Sequence, residues 1–477
     1  MTGCLSVGPD YHPPATPVPE EWQTPLAPSA DAAAPMAEWW TVFGDLQLEA
    51  IVRAVRTNNM DLAAALARMD ALAAQYGMAR SALLPSVSGV GGVTWDRQTE
   101  RVHVATDYPD NPAWLYQAGF SMQWELDVWG RIRRSMEAAR GTLDASVEDL
   151  RHLLVMLQAQ AAVEYITLRT RQQQLVFAEQ NIALQEKTVA LTRGRYDAGL
   201  TSELDVHQSE MNLAATRAQI PQLRADLTDS LNMLCLLSGR LPGTWEELRA
   251  HAPIPYAEAL PEMLPADLLR RRPDIRSAER QLAAQTARIG VAKADFLPKF
   301  ALNGSFAYAA TDSGELWKTP AQNFSIGPSV DWALFTAGRV RNNVRREQAT
   351  TRAVLAQYEQ AVLAAYQECE SALSAHVHST KTLAEIRTAA ASAAKSVELA
   401  ETLYRNGLTN FQNVLDMQRQ LAQYQDAQAQ CMGAVAANLV AVYKAFGGGW
   451  TPDALLNEDM ARVEQQDIEA SEQEQAE

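Results

Sequence analysis

Few residues in this 477-residue chain have a type and spacing that could do chemistry. Its four cysteines, Cys4, Cys235, Cys369 and Cys431, show no CxxC or other metal-ligand spacing. The last three fall in apolar helical patterns and read as buried thiols. His376 and His378 stand two apart, on different sides of any helix, which disfavours a metal pair. There is no glycine loop for phosphate and no nucleophile elbow. What does recur is a turn. Tyr196 to Val206 reads YDAGLTSELDV and Tyr404 to Val414 reads YRNGLTNFQNV, with Gly199 and Gly407 set 208 positions apart. Polar side chains follow each copy: Asp205 in one, Asn413 and Asp416 in the other. Acids placed together around an opening set an ion preference without catalysing anything.

The elements that carry these turns are unusually long. No proline occurs between Pro112 and Pro221, and helix formers in apolar periodicity run from Arg131 to about Ala198. At 1.5 Å per residue this predicts roughly 100 Å of helix, which must pack on neighbours along its length. Gly199-Leu200-Thr201 ends it, with glycine where a left-handed C-terminal cap is expected. A return helix follows to Leu237, with Pro221 expected to kink it. Upstream, AGFSMQWELDVW alternates strictly: Ala118, Phe120, Met122, Trp124, Leu126 and Val128 on one side, Ser121, Gln123, Glu125 and Asp127 on the other. SVSGVGGVTWD alternates more weakly through Val87, Val93 and Trp95.

After the connection from Pro242 to Pro265 the series starts again. RRRPDIRSAERQLAAQ opens a helix with Pro273 at its first position and Asp274 in its first turn. Phe300, Leu302, Phe306 and Tyr308 alternate, as do Phe324, Ile326, Val330, Trp332 and Leu334. Gly338-Arg339 echoes Gly130-Arg131, and a second proline-free span runs from Pro328 to Pro452. The chain is a tandem repeat of helix, hairpin, very long helix, turn and helix. The expected organisation is an arm over 1–37 and a first repeat over 38–240. That repeat holds a hairpin about 86–128, a long helix about 131–198 and a return helix about 202–237. A connection over 241–265 precedes a second repeat over 266–450, with a hairpin about 299–335, a long helix about 339–406 and a return helix about 409–446. An acidic tail occupies 451–477.

The formal charge of −16 argues against nucleic acid as a partner. No run approaches 18 uninterrupted apolar residues, which excludes a transmembrane-helix candidate but not a β-barrel. Strands that are apolar on one side and polar on the other suit a barrel around a wet lumen. Four strands cannot close one, since about eight is the practical minimum. Closure therefore needs several chains: two would give eight strands, three would give twelve. A soluble coiled-coil scaffold with two hairpins is the competing class. An enzyme is disfavoured, with no convergent acid, base, metal or phosphate constellation.

These residues resemble the outer-membrane efflux proteins of Gram-negative bacteria, the TolC-like channels, and within them the OprM/NodT-type lipoprotein branch. The resemblance rests on CLSVGPDYHPP (Cys4 to Pro14), LLRRRPDIRSAE (Leu268 to Glu279), GVAKADFLP (Gly290 to Pro298), IGPSVDWALFTAGR (Ile326 to Arg339) and AFGGGW (Ala445 to Trp450). It implies a mixed α+β, mostly α fold: a homotrimer with a twelve-stranded transmembrane β-barrel, a periplasmic α-barrel of long coiled-coil helices, and an equatorial belt. It also implies the passive exit duct of a tripartite efflux system for drugs or small toxic solutes. The implied partners are a periplasmic adaptor, an inner-membrane pump of the resistance-nodulation-division class, and outer-membrane lipid. A type I secretion duct for polypeptides is the runner-up, and the lipoprotein-like start and GGGW favour efflux.

Met1-Thr2-Gly3-Cys4 fits the end of a lipoprotein signal, with Cys4 as the acylated residue and no other cofactor. The charged and apolar regions of a signal peptide do not precede it, so acylation is expected only of a chain with a longer start. By resemblance the two turns (Gly199, Leu200, Thr201; Gly407, Leu408, Thr409) lie at the periplasmic tip, where the channel closes and the adaptor engages. Asp416 matches the family's pore-lining aspartate. Asn413 stands where some members have a second acid. Asp205 and Tyr404 match residues that link the two hairpins in the closed state, although Thr409 replaces an arginine of that latch. Read from the residues alone, Asp205 is equally a helix-start acid.

Overall fold

The structure is a computed structural model that describes residues 6–15, 19, 21–24, 36–97, 112–257, 260, 265–267 and 271–451. Cys4 and the tail from 452 lie outside the described residues. In chain order the elements are α1 (Leu46–Asn58), α2 (Met60–Ser81), β1 (Ser86–Asp96), β2 (Ala113–Leu126), α3 (Arg131–Asp197) and α4 (Glu203–Leu237). They continue with α5 (Pro273–Ala294), β3 (Lys299–Ala310), β4 (Gln322–Asp331), α6 (Arg339–Arg405) and α7 (Phe411–Ala445). The two repeats match in length as well as in order. Helices α3 and α6 each have 67 residues, and α4 and α7 each have 35. Helix α4 runs through Pro221 without interruption.

The chain divides into two compact units, one of Met1–Thr16, Ala67–Val147 and Ser277–Gln360, the other of Pro17–Leu66, Glu148–Arg276 and Ala361–Glu477. The first unit contains one antiparallel sheet in the order β1-β2-β3-β4. Directly opposed residues share a face of a sheet, so the register decides what each face carries. Val87↔Met122, Gly89↔Phe120 and Trp95↔Trp114 fall on one face, joined by Phe120↔Phe306, Trp124↔Leu302 and Leu126↔Phe300. Phe306↔Phe324, Gly304↔Ile326 and Phe300↔Val330 extend it to the far edge. The other face carries Ser88↔Ser121, Ser86↔Gln123, Ser121↔Ser305, Gln123↔Asn303, Ser305↔Ser325 and Lys299↔Asp331. One face is apolar across all four strands while its side chains, among them Phe120, Phe324, Ile326 and Val330, stay exposed.

Aromatic residues collect at both ends of the apolar face. At one end Trp95 packs on Trp114 with centroids 5.0 Å apart, and Tyr308 on Trp317 at 5.4 Å. At the other end the repeats use one bond twice. The indole of Trp124 donates to the Leu83 carbonyl at 2.9 Å, and that of Trp332 to the Phe296 carbonyl at 3.0 Å. From Trp114 to Trp124 the strand rises about 33 Å, or about 25 Å once tilted as barrel strands are.

Residues 6–15 of the arm lie on this unit. Val7 N–H donates to the Trp129 carbonyl at 3.0 Å, Arg134 binds Asp10 at 2.6 Å, and Tyr11 donates to Glu279 at 3.2 Å. Gly8 passes so near Gly290 that a Cβ on it would fall 2.4 Å from the Gly290 Cα. The backbone crossing thus requires glycine.

In the second unit, the RRRPDIR motif has a structural purpose. Arg272, 7% exposed, binds Asp274 and Glu368 at 2.7 and 2.8 Å and donates to the Ala445 carbonyl at 2.7 Å. Lys444 adds a second cation to Glu368 at 2.9 Å. One guanidinium therefore joins the start of α5, the middle of α6 and the end of α7. Burial alone would raise the Asp274 and Glu368 carboxyls, but their bonds to Arg272 and Lys444 outweigh it and hold both below the usual carboxylate range. Cys369 packs beside this cluster with Leu373, Val442 and Phe446, and Cys235 is buried in α4. Cys431 departs from expectation: it is only half-buried, because its face of α7 is incompletely covered within one chain.

Candidate gate at the two hairpin tips

Both Gly-Leu-Thr turns close as Schellman caps. Gly199 has φ +72° and Gly407 +73°. Leu200 N–H donates to the Arg195 carbonyl at 2.8 Å and Gly199 N–H to Tyr196 at 2.8 Å. The second turn repeats this, Leu408 to Leu403 at 2.9 Å and Gly407 to Tyr404 at 3.0 Å. A Cβ at either glycine would meet nothing within 4 Å, so φ alone demands glycine there. Each cap leaves a leucine in the open: Leu200 is 65% and Leu408 72% exposed.

The turns place Thr201 and Asp205 of the first hairpin beside Tyr404 of the second. The Tyr404 hydroxyl lies 3.3 Å from both Thr201 Oγ1 and Asp205 Oδ2, and the Thr201 hydroxyl itself donates to that carboxylate oxygen. Tyr404 is 3% exposed and rests against Phe411. Its burial, together with the charge of Asp205, raises its phenol above the ordinary tyrosine range. Ser202 stands at the α4 N-cap without a side-chain bond, so Asp205 is in the first turn but does not cap it.

Arg195 completes the contact and was not legible as part of it. Its guanidinium stacks over the Tyr404 ring at 4.8 Å and donates to the Arg405 carbonyl at 3.0 Å. The available signal was its place in the last helical turn, where a cation suits the dipole and can reach free carbonyls. In the second copy Leu403 holds the equivalent position.

The other expected residues form a separate set at the start of α7. Asn410 caps that helix by accepting from Asn413 N–H at 3.2 Å. The Asn413 amide donates to Thr409 Oγ1 at 2.7 Å, and Gln412 donates to Asp416 at 2.8 Å. Asn413 and Asp416 thus share one side of α7 at i and i+3, with Thr409 bonded just before the helix begins, and all three stand apart from the contact of Tyr404 with Thr201 and Asp205.

A polar seam continues this contact along α3. Gln174 donates to Asp426 at 2.6 Å, Asn181 to Gln425 at 2.8 Å, and Gln418 to Thr188 at 2.7 Å. Gln174, Asn181, Thr188 and Arg195 follow one another at intervals of seven, the coiled-coil repeat. Leu184 and Leu191, offset from them, pack on the α6/α7 clusters around Leu421 and Val414. Polar layers at such a seam fix register while lowering its stability. Among the described residues, no group of three or more His, Cys, Asp or Glu side chains is placed to hold a metal ion.

A sheet whose edges β1 and β4 have no partner strand among the described residues, apolar on one face, whose strands lead into helical hairpins of this length, defines one chain's share of a multi-chain outer-membrane channel. Comparison with known proteins agrees. A profile for the outer membrane efflux proteins matches residues 51–240 and 264–448, one match per repeat. The chain is 31% identical over 445 residues to the pyoverdine export outer membrane protein OpmQ of Pseudomonas putida, covering 91% of this chain and 93% of that one. To the toluene efflux pump outer membrane protein TtgC of Pseudomonas putida it is 30% identical over 472 residues, covering 97% and 96%. It superposes on the outer-membrane channel OprN with a TM-score of 0.87 at 34% identity, covering 94% of this chain and 100% of OprN. The chain belongs to the outer membrane efflux protein family.

Proposed function

We propose that three copies of the chain form the exit duct of a tripartite efflux system. Drugs or other small toxic solutes would pass through it from an inner-membrane pump and periplasmic adaptor to the exterior. The sheet carries this reading. Its apolar face is continuous over four strands, bounded by aromatic residues about 25 Å apart, and its edges β1 and β4 have no partner strand among the described residues. Three such sheets, joined edge to edge, make twelve strands, and the serine- and asparagine-bearing face then lines a wet lumen.

Helices α3 and α6, at about 100 Å each, would extend into the periplasm as the wall of a tube. Three chains would bring six hairpin tips around one opening. In that setting the contact of Tyr404 with Thr201, Asp205 and Arg195 serves as the latch of the closed state. Asp416 and Asn413 line the constriction, and Leu200 and Leu408 offer the adaptor an apolar contact. The pump supplies the energy, so the duct itself needs no catalytic step. With a longer start, acylated Cys4 would add a lipid tether to an arm already fixed at Val7.

The test is complementation. A strain deleted for this gene, with its pump and adaptor intact, should regain resistance to the pump's solutes when the chain is supplied. The chain should be recovered as a trimer from outer membrane. Recovery as a soluble protein would contradict the proposal.

A further inference from the structure

The two strand-to-helix junctions differ in a way that duplication does not explain. In the first, Glu125 accepts from Arg131 at 2.7 and 2.5 Å. Asp127 accepts from the Arg133 side chain and from the Ile132 and Arg133 amides, each at 3.0 Å. Shifted by 208 positions, both arginines persist as Arg339 and Arg341, but the acids become Ala333 and Phe335. Glu137, which binds Arg134 at 2.7 Å, becomes Arg345. Among the described residues, the guanidiniums of Arg339, Arg341 and Arg345 have no ion pair or hydrogen bond, and all three residues are exposed.

The residue in place of Asp127 is the most exposed large apolar side chain of the junction. Phe335 is 90% exposed, and Leu334 beside it 78%. They follow Val330 and Trp332, which continue the apolar face of β4 to its aromatic end. The order is therefore apolar strand face, interfacial tryptophan, exposed apolar pair, then free cations. Helix α6 also has no acid in its first turn, so these arginines sit against its dipole uncompensated.

We propose that this junction binds the headgroup phosphate of an anionic phospholipid in the periplasmic leaflet of the outer membrane. Arg341 and Arg345, four apart on one side of α6, hold the phosphate, and Leu334 and Phe335 lie against the acyl chains. The phosphate oxygens take the part that the Asp127 carboxylate plays for Arg133 in the first repeat. The surface is continuous with the apolar sheet face, and its charge complements a phosphate. The inference rests on the barrel reading above.

Native mass spectrometry of the full-chain trimer in a neutral detergent tests it, with phosphatidylglycerol or phosphatidylcholine added. The wild type should retain phosphatidylglycerol preferentially. The double variant R341Q/R345Q should lower that preference by about tenfold. The variant A333E/F335D should do the same while removing no positive charge, because it restores the acids of the first repeat. Unchanged preference in both variants would overturn the proposal. So would dissociation of R341Q/R345Q into protomers regardless of lipid, which would place the arginines in the contact between copies. A wild type that forms no channel in bilayers would overturn the barrel reading itself. Channels of normal conductance without lipid preference would overturn this inference alone.

Discussion

The Tyr404 hydroxyl stands 3.3 Å from the Asp205 carboxylate, although 199 positions separate them in the chain. Asp205 follows the first turn and Tyr404 precedes the second, so this contact ties the two hairpins together at their tips. A hydrogen bond to a half-buried carboxylate is worth about 1 kcal/mol here, or roughly fivefold in the closed-to-open ratio per protomer. Tyr404→Phe keeps the ring that Arg195 and Phe411 pack against and removes only the hydroxyl. Cells carrying it should admit bulky polar antibiotics that the wild type excludes, measured as a fall in inhibitory concentration. Unaltered exclusion would separate this contact from the gate.

The glycines at 199 and 407 should behave alike. With open space around each missing Cβ, a valine would fold but strain the cap, at about 1–2 kcal/mol. The expected outcome is a trimer of near-normal thermal stability that binds its adaptor more weakly in pull-down from membranes. A collapse of trimer stability would mean that the turns carry more of the fold than their exposure implies.

Asp416 lies at the start of α7 with Gln412 as its only side-chain partner among the described residues. Three such carboxylates around an axis favour cations. Replacing Asp416 with alanine should lower the cation-to-anion permeability ratio by about a factor of a few. Reversal potentials in a salt gradient measure this directly, and an unchanged ratio would remove Asp416 from the constriction.

The Arg272 cluster sets the expected acid behaviour of the second unit. Asp274 and Glu368 have folded-state pKa values below their ordinary ones. Their stabilisation is therefore full above the unfolded carboxylate range and is lost as pH falls through the lower folded values. Melting temperature should decline below about pH 4. Arg272→Met, which leaves the half-buried Asp274 carboxylate without its ion-pair partner and Glu368 with Lys444 alone, should cost about 1–3 kcal/mol. It should also flatten that acid decline, as thermal melts across pH would record.

Much of the fold was legible because two periodicities were unbroken. Strict alternation in β2 specified the apolar face, and proline-free helix formers from Arg131 onward specified α3. The capping glycines marked where each long helix stops. The contact between the hairpin tips was legible only in part. Tyr404 and Asp205 were found by resemblance, but Arg195 was not, since an arginine on a long polar helix reads like any solvated one. The seam of Gln174, Asn181 and Thr188 escaped for the same reason: polar residues at a coiled-coil contact look like surface until their partners are placed. Half-buried Cys431 is the converse, an apolar pattern whose cover one chain does not complete.

The central claim is that this chain makes a pore held shut by the Tyr404–Asp205 contact. Single-channel current through the purified trimer in a planar bilayer tests it most directly. The account predicts small, mostly closed conductance for the wild type. For Asp205→Asn combined with Tyr404→Phe it predicts larger, longer openings, with the same barrel melting temperature. Equal currents from the two proteins, or no current from either, would contradict it.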